Sequence, residues 1–260
     1  MKIATWNING IKARIDTART WLASANPDIA CLQEIKCVDE AFPREMFEEM
    51  GYNVAVHGQK GLNGVALLSK LPFHEVAPRL AGDESDVQAR YLEAVVSVPS
   101  GVLRLINIYL PNGNPVGTEK FVYKLAWMTR LRTRIETLLA NEEPMIVAGD
   151  FNVIPTPQDV YNPAAWMNDA LFKPETRAHF QALVNLGLTD AFRACHDEPH
   201  RFTFWDYQAG AFQKNQGLRI DHLLLSPQAA DRLVTCDIDA APRAWEKPSD
   251  HVPIWIELNV

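Results

Sequence analysis

No apolar run in the chain approaches the ~18 residues that a membrane span requires. The opening, MKIATWNING, carries Asn7 and Asn9 where an export signal needs an apolar core. Neither a membrane segment nor a secretory leader is therefore expected. Cysteine is scarce as well. Cys31, Cys37, Cys195 and Cys236 form no CxxC pair, which excludes a disulfide framework and a thiolate zinc site, and suits free thiols in a reducing, cytoplasmic setting. Positive charge is in deficit, with 25 Lys and Arg against 32 Asp and Glu, a net charge of −7 and a pI near 5.5. A purely electrostatic partner of nucleic acid should be basic, although carboxylates gathered around a divalent cation would weaken that argument. The chain also lacks a linker, a low-complexity tract and any short repeat. Its 260 residues, 47% hydrophobic and 22% charged, form one domain over 1–260 on the simplest reading.

What is present is organised around residues 146–155, IVAGDFNVIP. Met145 to Ala148 form an apolar run without polar alternation, as expected of a strand covered on both faces. Gly149 permits close backbone approach, and Pro155 and Pro157 forbid continuation. Asp150 and Asn152, two apart, leave an extended chain on the same side. Such a pair suits activation of a water by the acid and donation to an anionic oxygen by the amide. It equally suits a local Asx turn.

The remaining chain offers similar strand exits. Residues 2–9 read as a strand delivering Asn7 and Asn9. Residues 29–33 read as a second, ending at Glu34, which a solvated helix start would also explain. Helices are expected over 11–25, 39–50, 119–139 and 174–186, and strands over 52–56, 64–69, 91–98 and 103–109. Further strands are expected over 201–204, 219–225, 235–239 and 252–258. In helix 119–139, Phe121, Leu125, Met128, Leu131 or Arg132, Ile135 and Leu138 trace the apolar stripe, with Lys120, Lys124, Arg130 and Arg134 opposite. Residues 155–172 form a Pro- and Asn-rich excursion. Alternating helices and strands with recurrent hairpins favour a mixed α/β fold, two sheets inside and helices outside.

Asn7, Asn9, Glu34, Tyr109, Asn112, Asp150, Asn152, Asp221, Asp250 and His251 each follow or interrupt an apolar strand, so adjacent sheets would gather them at one rim. Carboxylates and amides without a His or Cys cluster define a hard-oxygen site suited to Mg²⁺, with Mn²⁺ as a substitute. That donor set fits hydrolysis of a phosphate ester.

The stretches WNINGIKAR (6–14), LQEIK (32–36), GVALLSK (64–70), NIYLPNG (107–113), GDFNV (149–153), GLRIDHLLLS (217–226) and SDHVPI (249–254) resemble the endonuclease/exonuclease/phosphatase superfamily. Within it they resemble the exonuclease III type of abasic-site nuclease. They run in family order from residue 3 to 258. LQE, GDxN and SDH belong to the superfamily at large, whereas YLPNG and LRID are specific to abasic-site nucleases. The resemblance implies a DNase I-like, four-layer α/β sandwich of two packed mixed β-sheets flanked by helices. It implies Glu34, Asn7 and Asp250 at the metal, and Asp150 activating water. Asn152, Tyr109 and Asn112 would lie at the phosphate, with His251 on it and paired to Asp221. Phe204, Trp205 and Leu218 would form an apolar pocket for an extruded baseless sugar.

Lys36, Lys60, Lys12 and Arg14 would contact phosphates or stand solvated, and Asn162 is a candidate phosphate contact. Asn9 stands where some relatives carry Asp, which removes one anionic ligand. The implied partner is double-stranded DNA with abasic sites or 3′ ends, bound by a monomer. The activity would be Mg²⁺-dependent incision 5′ to abasic sites, with 3′–5′ exonuclease and 3′-end phosphodiesterase action. A phosphoesterase for inositol phosphates or lipids, and a non-catalytic nucleic-acid binder, are the rivals. YLPNG and LRID argue against the first, and the intact set Glu34, Asp150, Asn152, Asp221 and His251 against the second.

Overall fold

Uninterrupted apolar strands are stable only when both faces are covered, and the chain meets that demand by packing one sheet on another. The computed structural model describes residues 1–260. Its strands are β1 (Lys2–Asn7), β2 (Ile29–Gln33), β3 (Asn53–His57), β4 (Val65–Ser69), β5 (Phe73–Pro78), β6 (Tyr91–Val98), β7 (Gly101–Tyr109), β8 (Met145–Asp150), β9 (Thr189–Asp190), β10 (Asp221–Leu225), β11 (Leu233–Ile238) and β12 (Ile254–Leu258). The helices are α1 (Ile15–Ala25), α2 (Arg44–Glu48), α3 (Glu119–Leu139), α4 (Pro163–Trp166), α5 (Pro174–Val184), α6 (Ala191–Cys195) and α7 (Pro227–Ala230).

One six-stranded sheet runs β11-β12-β1-β2-β4-β3 and the other β5-β6-β7-β8-β10-β9. Within them β1 is parallel to β2 and β7 is parallel to β8. Ile3, Cys31 and Leu67 of the first sheet meet Leu105, Ile146 and Leu223 of the second in the central core. The opposite faces take α1 and α2 on one side, through Ala4, Trp6, Trp21 and Phe47, and α3 and α5 on the other, through Val147, Leu131 and Phe180. Helix, sheet, sheet and helix therefore stack as expected.

Several local expectations change. Residues 39–50 are not one helix, because Pro43 holds Phe42 extended and separates a turn at Asp39–Ala41 from α2. Residues 201–204 make single bridges rather than a strand, Phe204 pairing with both Leu218 and His251. β5 was not expected, since its residues are almost all exposed and carry no apolar alternation. α3 has the expected limits but a rotated stripe. Trp127, Met128, Leu131, Ile135 and Leu138 are buried, and so is Lys124, four residues before Met128 and seven before Leu131. Two of its basic residues are engaged within the protein: Arg130 pairs with Asp86 at 2.8 Å and Arg134 with Glu93 at 2.8 Å.

Gly149 behaves as the sequence requires. Its φ is +147°, and a Cβ there would lie 2.0 Å from the carbonyl oxygen of Ile108 on β7. Gly149→Ala should therefore destabilise the protein by roughly 3 kcal/mol or more, seen as a lower urea midpoint at unchanged m-value.

Candidate active site

Because β1, β2, β7 and β8 end together, the first polar residue after each apolar run arrives at one rim. Asn7 pairs in register with Gln33, and Tyr109 with Asp150. Glu34 follows β2 at φ +49°. β10 runs the other way and begins at Asp221, directly opposite Asp150. The segment 250–252 is drawn in by backbone bonds from Trp205 N to Asp250 O and from Val252 N to Thr203 O.

The Asp150 carboxylate serves two purposes. Oδ1 accepts from the Asn152 backbone N–H at 2.9 Å, closing a local Asx turn. Oδ2 accepts from Asn7 Nδ2 at 2.9 Å and lies 3.8 Å from His251 Nε2. Asn152 is not extended, as the two-residue spacing had suggested. Its φ is +47°, and its amide donates to Leu110 O at 2.8 Å and accepts from Asn112 at 3.3 Å. His251 Nδ1 donates to Asp221 Oδ2 at 2.8 Å, so Asp221 is its partner and not the adjacent Asp250.

Charge balance follows from burial. Burial raises the Asp150 carboxyl, which the His251 imidazolium opposes and Asp221 reinforces. Burial alone would lower His251, but the carboxylates of Asp221 and Asp150 push it up to about 10. Glu34 is held below its usual range despite burial, because Asn7 and Lys36 donate to it. Tyr109 is raised by burial and by the facing carboxylates of Glu34 and Asp150, which keeps its hydroxyl protonated.

These groups open into a cavity of about 260 Å³ whose lining includes Glu34, Tyr109, Asn112, Asp150, Asn152, Phe204, Leu218, Asp250 and His251. The Phe204 ring stands edge-on to His251 with centroids 5.0 Å apart. A larger surface cleft, between Lys12–Thr20 and Trp245–Lys247, gathers no buried titratable group.

Trp205 is not in the cavity. Successive residues of an extended segment face opposite ways, so with Phe204 inward, Trp205 is buried in the central core and donates to Asn215 at 3.1 Å. Trp166, Leu171 and Ile220 complete the apolar wall instead. Asn114 and Asp169, bonded to each other at 3.1 Å, line the cavity as well. Sequence reasoning passed over these residues. Their one signal was a tryptophan in a polar excursion that starts where the central strand ends.

Of the expected cations, Lys36 is engaged by Glu34 at 2.9 Å and by Asn9, so it is not a free backbone contact. Arg14 donates to Tyr207 at 3.2 Å and to Asn9 O. Lys12 and Lys60 are exposed. Asn162 caps α4 through Ala165 N.

Glu34, Asp150 and His251 offer ligand atoms that lie within 4.8 Å of one another. With His251 bonded to Asp221 through Nδ1 and held protonated on Nε2, the two carboxylates remain, a hard-oxygen set that fits a divalent cation. The other expected ligands are differently engaged. Asn7 accepts from Asn9 N at 3.0 Å and turns its nitrogen to both carboxylates, reaching Glu34 at 2.9 Å. It therefore clamps them rather than offering an oxygen. Asp250 is held by Asn9 Nδ2 at 3.0 Å.

The Endonuclease/Exonuclease/phosphatase family matches residues 4–251, from β1 through His251. The chain belongs to this family. Exodeoxyribonuclease III of Haemophilus influenzae is 39% identical over 267 residues, spanning 100% of each chain. Among solved structures, an AP endonuclease from Archaeoglobus fulgidus superposes with a TM-score of 0.95 at 35% identity. A Neisseria 3′ phosphatase, NExo, bound to a product DNA hairpin, does so at 0.96 and 36%, each covering 100% of both chains. The fold is the family's DNase I-like sandwich, and the chain is a DNA-repair nuclease, a hydrolase. The family's nucleases are metal-dependent, and the Glu34–Asp150 pair is where this chain would hold the ion.

A histidine raised in the fold contributes stability that is complete below its ordinary value of 6.5 and is lost as pH rises through about 10. In metal-free protein the His251 ring signals should therefore not titrate between pH 6 and pH 8. Asp221→Asn should lower the midpoint by at least about one unit, as followed by histidine NMR.

Proposed function

We propose that the protein incises double-stranded DNA 5′ to abasic sites and removes nucleotides or blocking groups from 3′ ends. We assign it Mg²⁺, with Mn²⁺ as a substitute, and action as a monomer in the cytoplasm. The observation that carries the reading is that an apolar wall of half-buried Phe204 and buried Leu218, Ile220 and Leu171 shares one cavity with Asp150, His251 and Asn152. A wall of that kind accepts a baseless deoxyribose and gives the edge of an ordinary base no polar partner. Four free cysteines support a reducing compartment.

In this reading the scissile phosphate lies among Asn112, Asn152, Tyr109 and His251. The His251 imidazolium and the Tyr109 hydroxyl donate to phosphate oxygens, whose charge grows as water adds to phosphorus and the bond to the upstream 3′ oxygen breaks, that oxygen taking its proton from solvent. Asp150 takes the proton of the attacking water. Asn7 and the Asn152 N–H fix the orientation of that carboxylate. A cation held by Glu34 and Asp150 would supply Lewis-acid stabilisation of the phosphate charge.

An end-labelled duplex with one synthetic abasic site should receive a single 5′-side nick in Mg²⁺ and none in chelator. Nibbling from the 3′ end without that nick would reject the sugar pocket. Phosphate release from inositol phosphates with intact DNA would favour the rival phosphoesterase. Asp150→Asn should abolish cleavage while abasic-DNA binding in chelator persists, because the base for the water and one anionic ligand of the cation are lost together while the phosphate and sugar contacts remain. His251→Ala should slow turnover by about a hundredfold, and a loss under about tenfold would refute contact with the phosphate.

A further inference from the structure

Lys124 is the one charged residue on the buried stripe of α3, and it is fully inaccessible to solvent. Its ammonium leaves the helix and ends between two loops. Nζ donates to the carbonyl oxygen of Asn112, beyond β7, at 3.0 Å and to that of Asn152, beyond β8, at 2.6 Å. The side chains of the same two residues meet in the cavity, Asn112 Nδ2 donating to Asn152 Oδ1 at 3.3 Å. The loop is shaped around the lysine. Gly113 has φ +87°, and a Cβ there would lie 2.6 Å from Lys124 Cδ and 3.3 Å from Ala170 Cβ. Burial pulls the Lys124 ammonium down to about 7, and the carboxylates of Asp150 and Asp169 that face it oppose that loss of charge.

We propose that Lys124 is a positioning residue of the phosphate pocket: by tying the backbone carbonyls of Asn112 and Asn152 to one buried ammonium, it aims both side-chain amides at the substrate. The inference rests on the phosphoester-hydrolysis reading above. A buried charge removed from solvent costs several kcal/mol unless fully partnered, so packing alone would favour Met or Leu on this stripe. The lysine holds two carbonyls on separate loops, and an apolar residue could not. Since Asn152 has a left-handed backbone and Asn112 is exposed, neither amide has a regular element to fix its direction.

The test compares wild type with Lys124→Met, which keeps the stem and removes the ammonium. With duplex DNA carrying an abasic site, kcat should fall by at least about tenfold, while KM and DNA affinity in chelator change by less than about threefold. In protein labelled with ¹⁵N-asparagine, the side-chain amide pairs of Asn112 and Asn152 should shift or broaden. Gly113→Ala, which pushes on the lysine stem from the loop, should perturb the same two pairs. A lower melting temperature with unchanged kcat and unchanged amide signals would reduce Lys124 to a packing residue and overturn the proposal. If wild type fails to cut this substrate, the abasic-site reading falls, while the two amide signals still decide the role of Lys124.

Discussion

The site depends on holding carboxylates of like charge together where water is scarce. Asp150 and Asp221 face each other across β8 and β10, both essentially inaccessible, with Glu34 joined to the first through Asn7. Left alone, one of them would take up a proton. The His251 imidazolium stands against both, bonded to Asp221 and 3.8 Å from Asp150. At that separation the attraction is on the order of 4 kcal/mol for an effective dielectric near 20. The cost of burying each ion is also several kcal/mol. The attraction opposes that cost, and the hydrogen bonds from Asn7, from the Asn152 N–H and from His251 to Asp221 offset part of the rest.

Such a cluster needs a rigid surround, and buried polar groups supply it. Between the sheets, Gln33 donates to Thr5 and to Asn107, both at 2.8 Å, and Asn107 donates to Leu32 O and Ala66 O. That stitch lies one residue before Glu34 and two before Tyr109, so the ends of both sheets are fixed relative to each other just where they deliver side chains. Behind the cavity, Arg219 is fully buried and bonded to Asp159 at 2.7 Å and to Asp190 at 2.9 Å. It also donates to His222 Nδ1, and burial together with this guanidinium lowers His222 to about 4, leaving a neutral ring whose Nε2 meets Val153 O. The arginine of the LRID stretch is thus a structural hub. It pins the excursion that carries Trp166 and Leu171 to the strand that carries Asp221.

Strand exits were legible in the sequence because an apolar run that stops at a polar residue makes its own boundary. Asp150, Glu34, Tyr109 and His251 all line the cavity on that basis. The partner of His251 came from the family resemblance, because the strand pattern alone could disfavour the adjacent Asp250 but could not point to Asp221. What escaped was whatever depends on phase or on loops. Lys124 was assigned to the outer face of its helix by its charge, although its spacing from Met128 and Leu131 put it on the buried stripe. Trp205 was paired with Phe204 as if neighbours could share a face. Trp166 and Leu171 lie in an irregular excursion, where no period links sequence to direction.

The bridges at Phe204 bind specificity to chemistry. Phe204 pairs with Leu218 on one side and with His251 on the other. Two walls of the apolar pocket and the His251 imidazole are therefore neighbours in one small patch of sheet. A slip of one residue in the 202–205 segment would turn Phe204 outward, bring Trp205 inward and shift the backbone bond that seats Asp250. Pocket shape and imidazole position could not change independently. The excursion is tied to the same frame, since the Ile154 N–H donates to Leu171 O and Arg219 holds Asp159, so Trp166 and Leu171 reach the cavity from a segment anchored beside Asp150 and Asp221.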